Sequence, residues 1–61
     1  MEHYEVYMRD IDPDSGAITT NHPIALVNRE AYAIMICNSL KKCNEEPNRD
    51  FYYKRLEKNK F

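Results

Sequence analysis

Between His3 and Arg9 the chain alternates without a break: Tyr4, Val6 and Met8 point one way, Glu5, Tyr7 and Arg9 the other. A period of two, rich in Tyr and Val, predicts a strand with one face on a core. The stretch GAITTNHPIALV, residues 16–27, is β-rich again. Pro23 removes a ladder donor, which restricts this second strand to an edge or ends it near Asn21. NREAYAIMICNSLKKCNEE then predicts a helix, with Asn28 as N-cap and Glu30 at the positive end of the dipole. Lys41 and Lys42 sit near the negative end, and Pro47 is the stop. At about 100° per residue, Tyr32, Ile36, Leu40 and Cys43 form one stripe with Ala33 and Cys37 beside it, and that stripe is expected to cover the sheet. RDFYYKRLEK returns to strand character through three consecutive aromatics. A short helix competes there, because Tyr52 and Leu56 are four apart.

RDIDPDSGAITT, residues 9–20, raises a question of chemistry, since Asp10, Asp12 and Asp14 alternate ahead of the chain's single glycine. A calcium loop of the EF-hand type needs oxygen ligands at its first, third and fifth positions, glycine at the sixth and glutamate at the twelfth. Counted from Asp10, the glycine arrives one place late and Asn21 stands where the glutamate belongs. Strands rather than helices flank the segment. A hairpin turn accounts for the same residues: Pro13 presets φ, Asp14 and Ser15 bond nearby amides, and Gly16 takes a positive φ. Weak calcium binding at Asp10–Asp14 is left open.

The predicted order is β-β-α-β, an α+β fold and a single domain over residues 1–61, with 57–61 as a frayed tail on which Phe61 is free to dock. A right-handed crossover places the third strand beside the first and antiparallel to it, giving the order 2-1-3 with one helix on one face. The proline-bearing strand is then an edge. The other face, with Tyr7, Arg9 and either Tyr52 or Tyr53, stays open.

Size changes what this surface means. A chain of 61 residues buries only about 60% of its unfolded surface, so it is marginal without a disulfide, a metal or a partner. Cys37 and Cys43 on one helix lie about 9 Å apart in rise, too far for a disulfide. A zinc site from these cysteines with His3 and His22 has no supporting C-x-x-C or H-x-x-x-H spacing. Self-association or a partner is the remaining support. Ile34 and Met35 lie off the core stripe, so Ile34, Met35 and Cys37 are the expected dimer interface. The acidic, alternating N-terminus is not a signal peptide, and no apolar run reaches the ~20 residues of a membrane span; the expected location is the cytoplasm.

Catalysis is not expected. One glycine cannot build a phosphate-binding loop. Ser15 and Ser39 lack a nucleophile's surroundings, and neither histidine has an evident partner, although pairing of the hairpin could bring His3 near His22. No cofactor is implied. Binding remains, either to protein through an aromatic sheet face and an apolar helix, or to single-stranded nucleic acid. In the second case tyrosines stack bases while Arg9, Lys54 and Arg55 meet phosphate. A net charge of −1 favours protein, and Tyr7, Glu30, Tyr32 and Tyr52 are the expected contacts. A structural accessory role is the third option.

YEVYM, the acidic turn closed by Gly16, the helix and KRLEK together resemble the small uracil-DNA glycosylase inhibitors of tailed Bacillus phages. The matching positions are Tyr4, Glu5, Val6, Met8, Gly16, Arg55, Leu56, Glu57 and Lys58. The resemblance implies a homodimer that mimics DNA, with acids in place of phosphates and an apolar pocket for the enzyme's DNA-probing loop. The family's helix opens on an aromatic and acidic cluster; here Glu30 and Tyr32 stand in that region with a different spacing.

Overall fold

The computed structural model describes residues 2–56. The expectations for the 57–61 tail, and the resemblance at Glu57 and Lys58, lie outside the described residues. Three strands and a helix follow in the order β1 (His3–Ile11), β2 (Ile18–Val27), α1 (Glu30–Cys43) and β3 (Arg49–Leu56). The sheet is antiparallel throughout, with strand order β2-β1-β3. This is the predicted α+β fold, with β1 at the centre and one helix on one face. Among the described residues, no helix is long and apolar enough to cross a membrane.

The hairpin between β1 and β2 forms as its residues dictate. Asp12 N–H donates to the Ala17 carbonyl at 2.8 Å, and Gly16 N–H donates back to the Asp12 carbonyl at 2.8 Å. Asp14 N–H donates to Asp12 Oδ1 at 3.0 Å, the local side-chain bond that holds an Asx turn. Gly16 has φ 77°, where a Cβ is strained. β2 then runs through Pro23 to Val27 rather than stopping at Asn21, because it is an edge and the proline needs no donor on its outer side.

The core is small. Among the described residues Tyr4, Val6, Ala33, Cys37 and Phe51 are buried, and Val6 and Ala33 are fully enclosed. Ala25, Val27, Ile36 and Tyr53 pack around the cluster of Tyr4, Val6, Ala33 and Cys37. The helix therefore faces the sheet along Ala33, Ile36, Cys37 and Leu40, a stripe at i, i+3, i+4 and i+7. Tyr32 and Cys43, expected at its centre, are exposed. Small side chains take the middle because the helix crosses closely over Val6 and Tyr4, and a tyrosine ring would hold it off.

The helix start also differs from expectation. Arg29, not Asn28, is the N-cap, extended at φ −143° and ψ 140°, and no side chain caps the first amides. Asn44 organises the far end instead. Its Nδ2 donates to the Glu46 carbonyl at 2.8 Å, and its Oδ1 accepts from Glu46 N–H at 3.0 Å. The helix thus ends at Cys43, before Pro47 is reached.

Since Val6 is the one fully enclosed large side chain, Val6→Ala is expected to destabilise the fold by about 1–3 kcal/mol. The check is a lowered urea midpoint with an unchanged slope.

Candidate functional site: the open sheet face

Register decides which side chains share a face. Tyr7 lies opposite Tyr52, and Val6 opposite Tyr53. Tyr52 is therefore on the open face with Tyr7, while Tyr53 turns toward the helix and donates its hydroxyl to Glu30 Oε2 at 2.9 Å. Tyr7 and Tyr52 stack with ring centroids 5.1 Å apart and planes 10° from parallel. The Arg9 guanidinium sits 4.9 Å from the Tyr52 centroid. Lys54 Nζ sits 5.3 Å from the Tyr7 centroid. Two cations and two rings thus form one cluster of cation–π and stacking contacts.

Hydrogen bonds pin the cluster at its edges. The Tyr7 hydroxyl donates to Glu5 Oε1 at 2.6 Å, and the Tyr52 hydroxyl to Asn21 Oδ1 at 2.8 Å. Arg9 Nη2 donates to Asp50 Oδ2 at 3.3 Å. Glu5 holds the Tyr7 phenol above its ordinary pKa, first by accepting its proton's hydrogen bond, with burial adding to the effect. Leu26, opposite Glu5 on β2, leaves 60% of its surface exposed. Ile18, opposite Ile11, leaves 52%. The face is aromatic at its centre, charged around the rings and apolar along β2.

The sequence-derived contacts do not converge. Tyr7 and Tyr52 meet on the open face, but Glu30 and Tyr32 belong to α1 on the opposite side of the sheet, and Glu30 is engaged by Tyr53. The three residues expected at a dimer interface also part company. Cys37 is 5% exposed and belongs to the core, which corrects its assignment to a surface contact. Met35 is 60% exposed on the back of the helix. Ile34 lines a cleft between α1 and β3. His3 and His22 are not neighbours: His22 lies opposite Met8, on the helix side, and His3 opposite Leu56, on the open side.

The acids distribute along the sheet in a way alternation alone does not show. Asp10 takes a two-pronged ion pair from Arg49, Nε to Oδ1 at 2.8 Å and Nη2 to Oδ2 at 3.1 Å. This pair brings the start of β3 against the end of β1, beside the bond from Ile11 N–H to the Asn48 carbonyl at 2.9 Å. The hairpin loop with Asp12 and Asp14 and the connection with Glu45 and Glu46 therefore lie at the same end of the sheet. Arg55 is at the other end, paired with Glu2 at 2.7 Å. No cluster of three or more His, Cys, Asp or Glu side chains suited to a metal ion exists among the described residues. Comparison with protein-family models, curated proteins and solved structures finds no match for the chain.

Arg49 holds the Asp10 carboxyl below its usual range, chiefly through the hydrogen bonds of the pair. A folded-state pKa below the unfolded one gives stability that is complete above the unfolded value and lost as pH falls through the folded one. Wild type is thus expected to lose stability on acidification below the ordinary aspartate range, and Asp10→Asn to lose this component of the pH dependence. Urea midpoints measured from neutral to strongly acidic pH check both.

Proposed function

We propose that this chain is a small protein–protein interaction module, acting in the cytoplasm as a phage or mobile-element inhibitor of a host DNA-processing enzyme and performing no catalysis itself. The observation that carries the protein-binding reading is the occupancy of the tyrosine rings. Tyr7 and Tyr52 cover one face of each other, and Lys54 and Arg9 lie over rings of the same stack. A base needs a bare ring face on which to stack. What this surface offers is ring edges, hydroxyls and the exposed side chains of Leu26 and Ile18, the mixture of aromatic anchor and polar rim that suits a protein partner.

Uracil-DNA glycosylase is the narrowest target, and its support is the resemblance at Tyr4–Met8, Gly16, Arg55 and Leu56. Asp12, Asp14, Glu45 and Glu46, gathered at one end of the sheet, are the groups that would stand in for phosphates. Glu2, Glu5, Glu30, Asp10 and Asp50 are held by tyrosine hydroxyls and arginines, so among the described residues mimicry would rest on that end. The second reading, single-stranded nucleic-acid binding, is favoured by Arg9 and Lys54 on the same face as the tyrosines. A structural accessory role needs neither feature.

The experiment is a uracil-excision assay alongside a binding assay with a labelled single-stranded oligonucleotide. The chain is expected to suppress excision at near-equimolar ratio, with at least tenfold weaker suppression by Asp14→Asn/Glu45→Gln. Full excision at micromolar protein removes the glycosylase. A salt-sensitive shift of the oligonucleotide, weakened by Lys54→Ala, would transfer the open face to the second reading.

A further inference from the structure

The antiparallel pairing of β1 with β3 has a local two-fold axis between Tyr7 and Tyr52. About that axis Arg9 exchanges with Lys54 and Asp50 with Glu5, so each half of the cluster holds a ring, a cation and an acid. The halves are not equally complete. In one, the Arg9 guanidinium lies 4.9 Å from the Tyr52 centroid and its Nη2 donates to Asp50 Oδ2 at 3.3 Å. In the other, Lys54 Nζ lies 5.3 Å from the Tyr7 centroid. Lys54 stands opposite Glu5, yet among the described residues the two form no ion pair. Glu5 Oε1 accepts the Tyr7 hydroxyl instead, at 2.6 Å, and among the described residues its Oε2 receives no donor.

The Arg9 half shows what completes the Tyr7 half: a flat guanidinium laid on the outer ring face and bonded at its edge to the neighbouring carboxylate. Lys54 does not play that part. Its ammonium is a compact, strongly hydrated charge, whereas a guanidinium is planar, weakly hydrated and donates within its own plane while it stacks. Lys54 is exposed, so its head returns to water when the ring face is taken. Leu26, opposite Glu5 on β2 and 60% exposed, offers an apolar surface to the aliphatic stem of an incoming arginine. The site also selects by sign. A phosphate brought to Tyr7 meets the Glu5 carboxylate, and a cation meets its complement.

We propose that the outer face of Tyr7, with Glu5 at its edge, is a docking site for an arginine side chain of a partner protein, which displaces Lys54 and stacks on Tyr7 as Arg9 stacks on Tyr52. The inference rests on the protein-binding reading of the open face and names the group which that face grips. It needs neither the acidic end of the sheet nor any particular enzyme. Tyr7 stands outside the positions that match the glycosylase inhibitors, so the site is a feature of this chain's own residues.

Titration of the full chain with two end-blocked tripeptides, Gly-Arg-Gly and Gly-Lys-Gly, followed by NMR of the tyrosine rings, tests it. The arginine peptide is expected to shift the Tyr7 ring resonances saturably and to have its own δ-methylene moved upfield, with the lysine peptide about threefold weaker or more. Glu5→Gln and Tyr7→Leu are each expected to weaken the arginine peptide about threefold or more. Tyr7→Phe keeps the ring and is expected to bind as wild type does, which separates loss of the site from loss of folding. Lys54→Ala uncovers the ring and is expected to tighten binding about twofold or more. Equal response to the two peptides overturns the proposal, as does indifference to Glu5→Gln or weaker binding by Lys54→Ala. A short thymidine oligonucleotide that shifts the same resonances and is weakened by Lys54→Ala also overturns it and gives the face to nucleic acid. The uracil-excision assay reads Asp14 and Glu45 instead, so the inhibitor reading can fail while the arginine site stands, and the reverse.

Discussion

The close contact between Val6 and the small residues Ala33 and Cys37 is what the rest of the molecule depends on. Val6 sits at the centre of the middle strand with no exposed surface, and Ala33 is likewise fully covered. Because both helix positions carry short side chains, α1 settles close to the sheet, with Tyr4 in the same cluster and Ala25, Val27, Ile36 and Tyr53 packed around it. That cluster is nearly the whole interior. A protein with so few enclosed side chains draws little stability from burial, so its outer faces answer to a different demand than those of a larger domain. Aromatic stacking, cation–π contacts and ion pairs on the sheet take over part of the ordering.

Those surface contacts have a shared logic. β1 and β3 both carry charged and aromatic residues, and the antiparallel register sets several beside a complementary neighbour: Arg9 beside Asp50, Tyr7 beside Tyr52, Asp10 beside Arg49. Each surface ion pair is worth little alone, about 0–1 kcal/mol. Together they fix the register, because a slip of one residue would turn every aromatic to the wrong side. A single arrangement of the tyrosine cluster follows, held by Asn21 and Glu5 at its hydroxyls. Rigid rings at a surface lose little entropy on binding, which is why such residues serve as anchors.

Strand identity and order were legible in the chain because alternation and proline placement are local signals. The 2-1-3 arrangement followed from chain direction and handedness. Helix phase was legible only in part: Ile36 and Leu40 lie on the expected stripe, but Tyr32 and Cys43 do not, and only the closeness of helix and sheet reveals that the small residues Ala33 and Cys37 belong in the middle. The face of Tyr52 was equally hidden, since FYY has no internal parity until β1 supplies the register. The Asp10–Arg49 pair spans 39 positions, and no short-range pattern announces it. Glu30 and Tyr32 look adjacent to a binding surface in sequence, yet the sheet stands between them and Tyr7. The cleft along β3 has a signal that could have found it: Ile34, Asn38 and Lys41 repeat at helical spacing one step round from the core stripe.

Pro23 at the margin of the sheet matters beyond the single chain. A layer with adhesive rims on both sides can add copies indefinitely, and filaments of stacked strands are the result. Here Pro23 and the irregular pairing of β2 leave one rim unfit for such growth. The same proline that looks like a flaw in a strand acts as a guard, and it denies a thin, tyrosine-rich ribbon one of the two rims along which copies could stack.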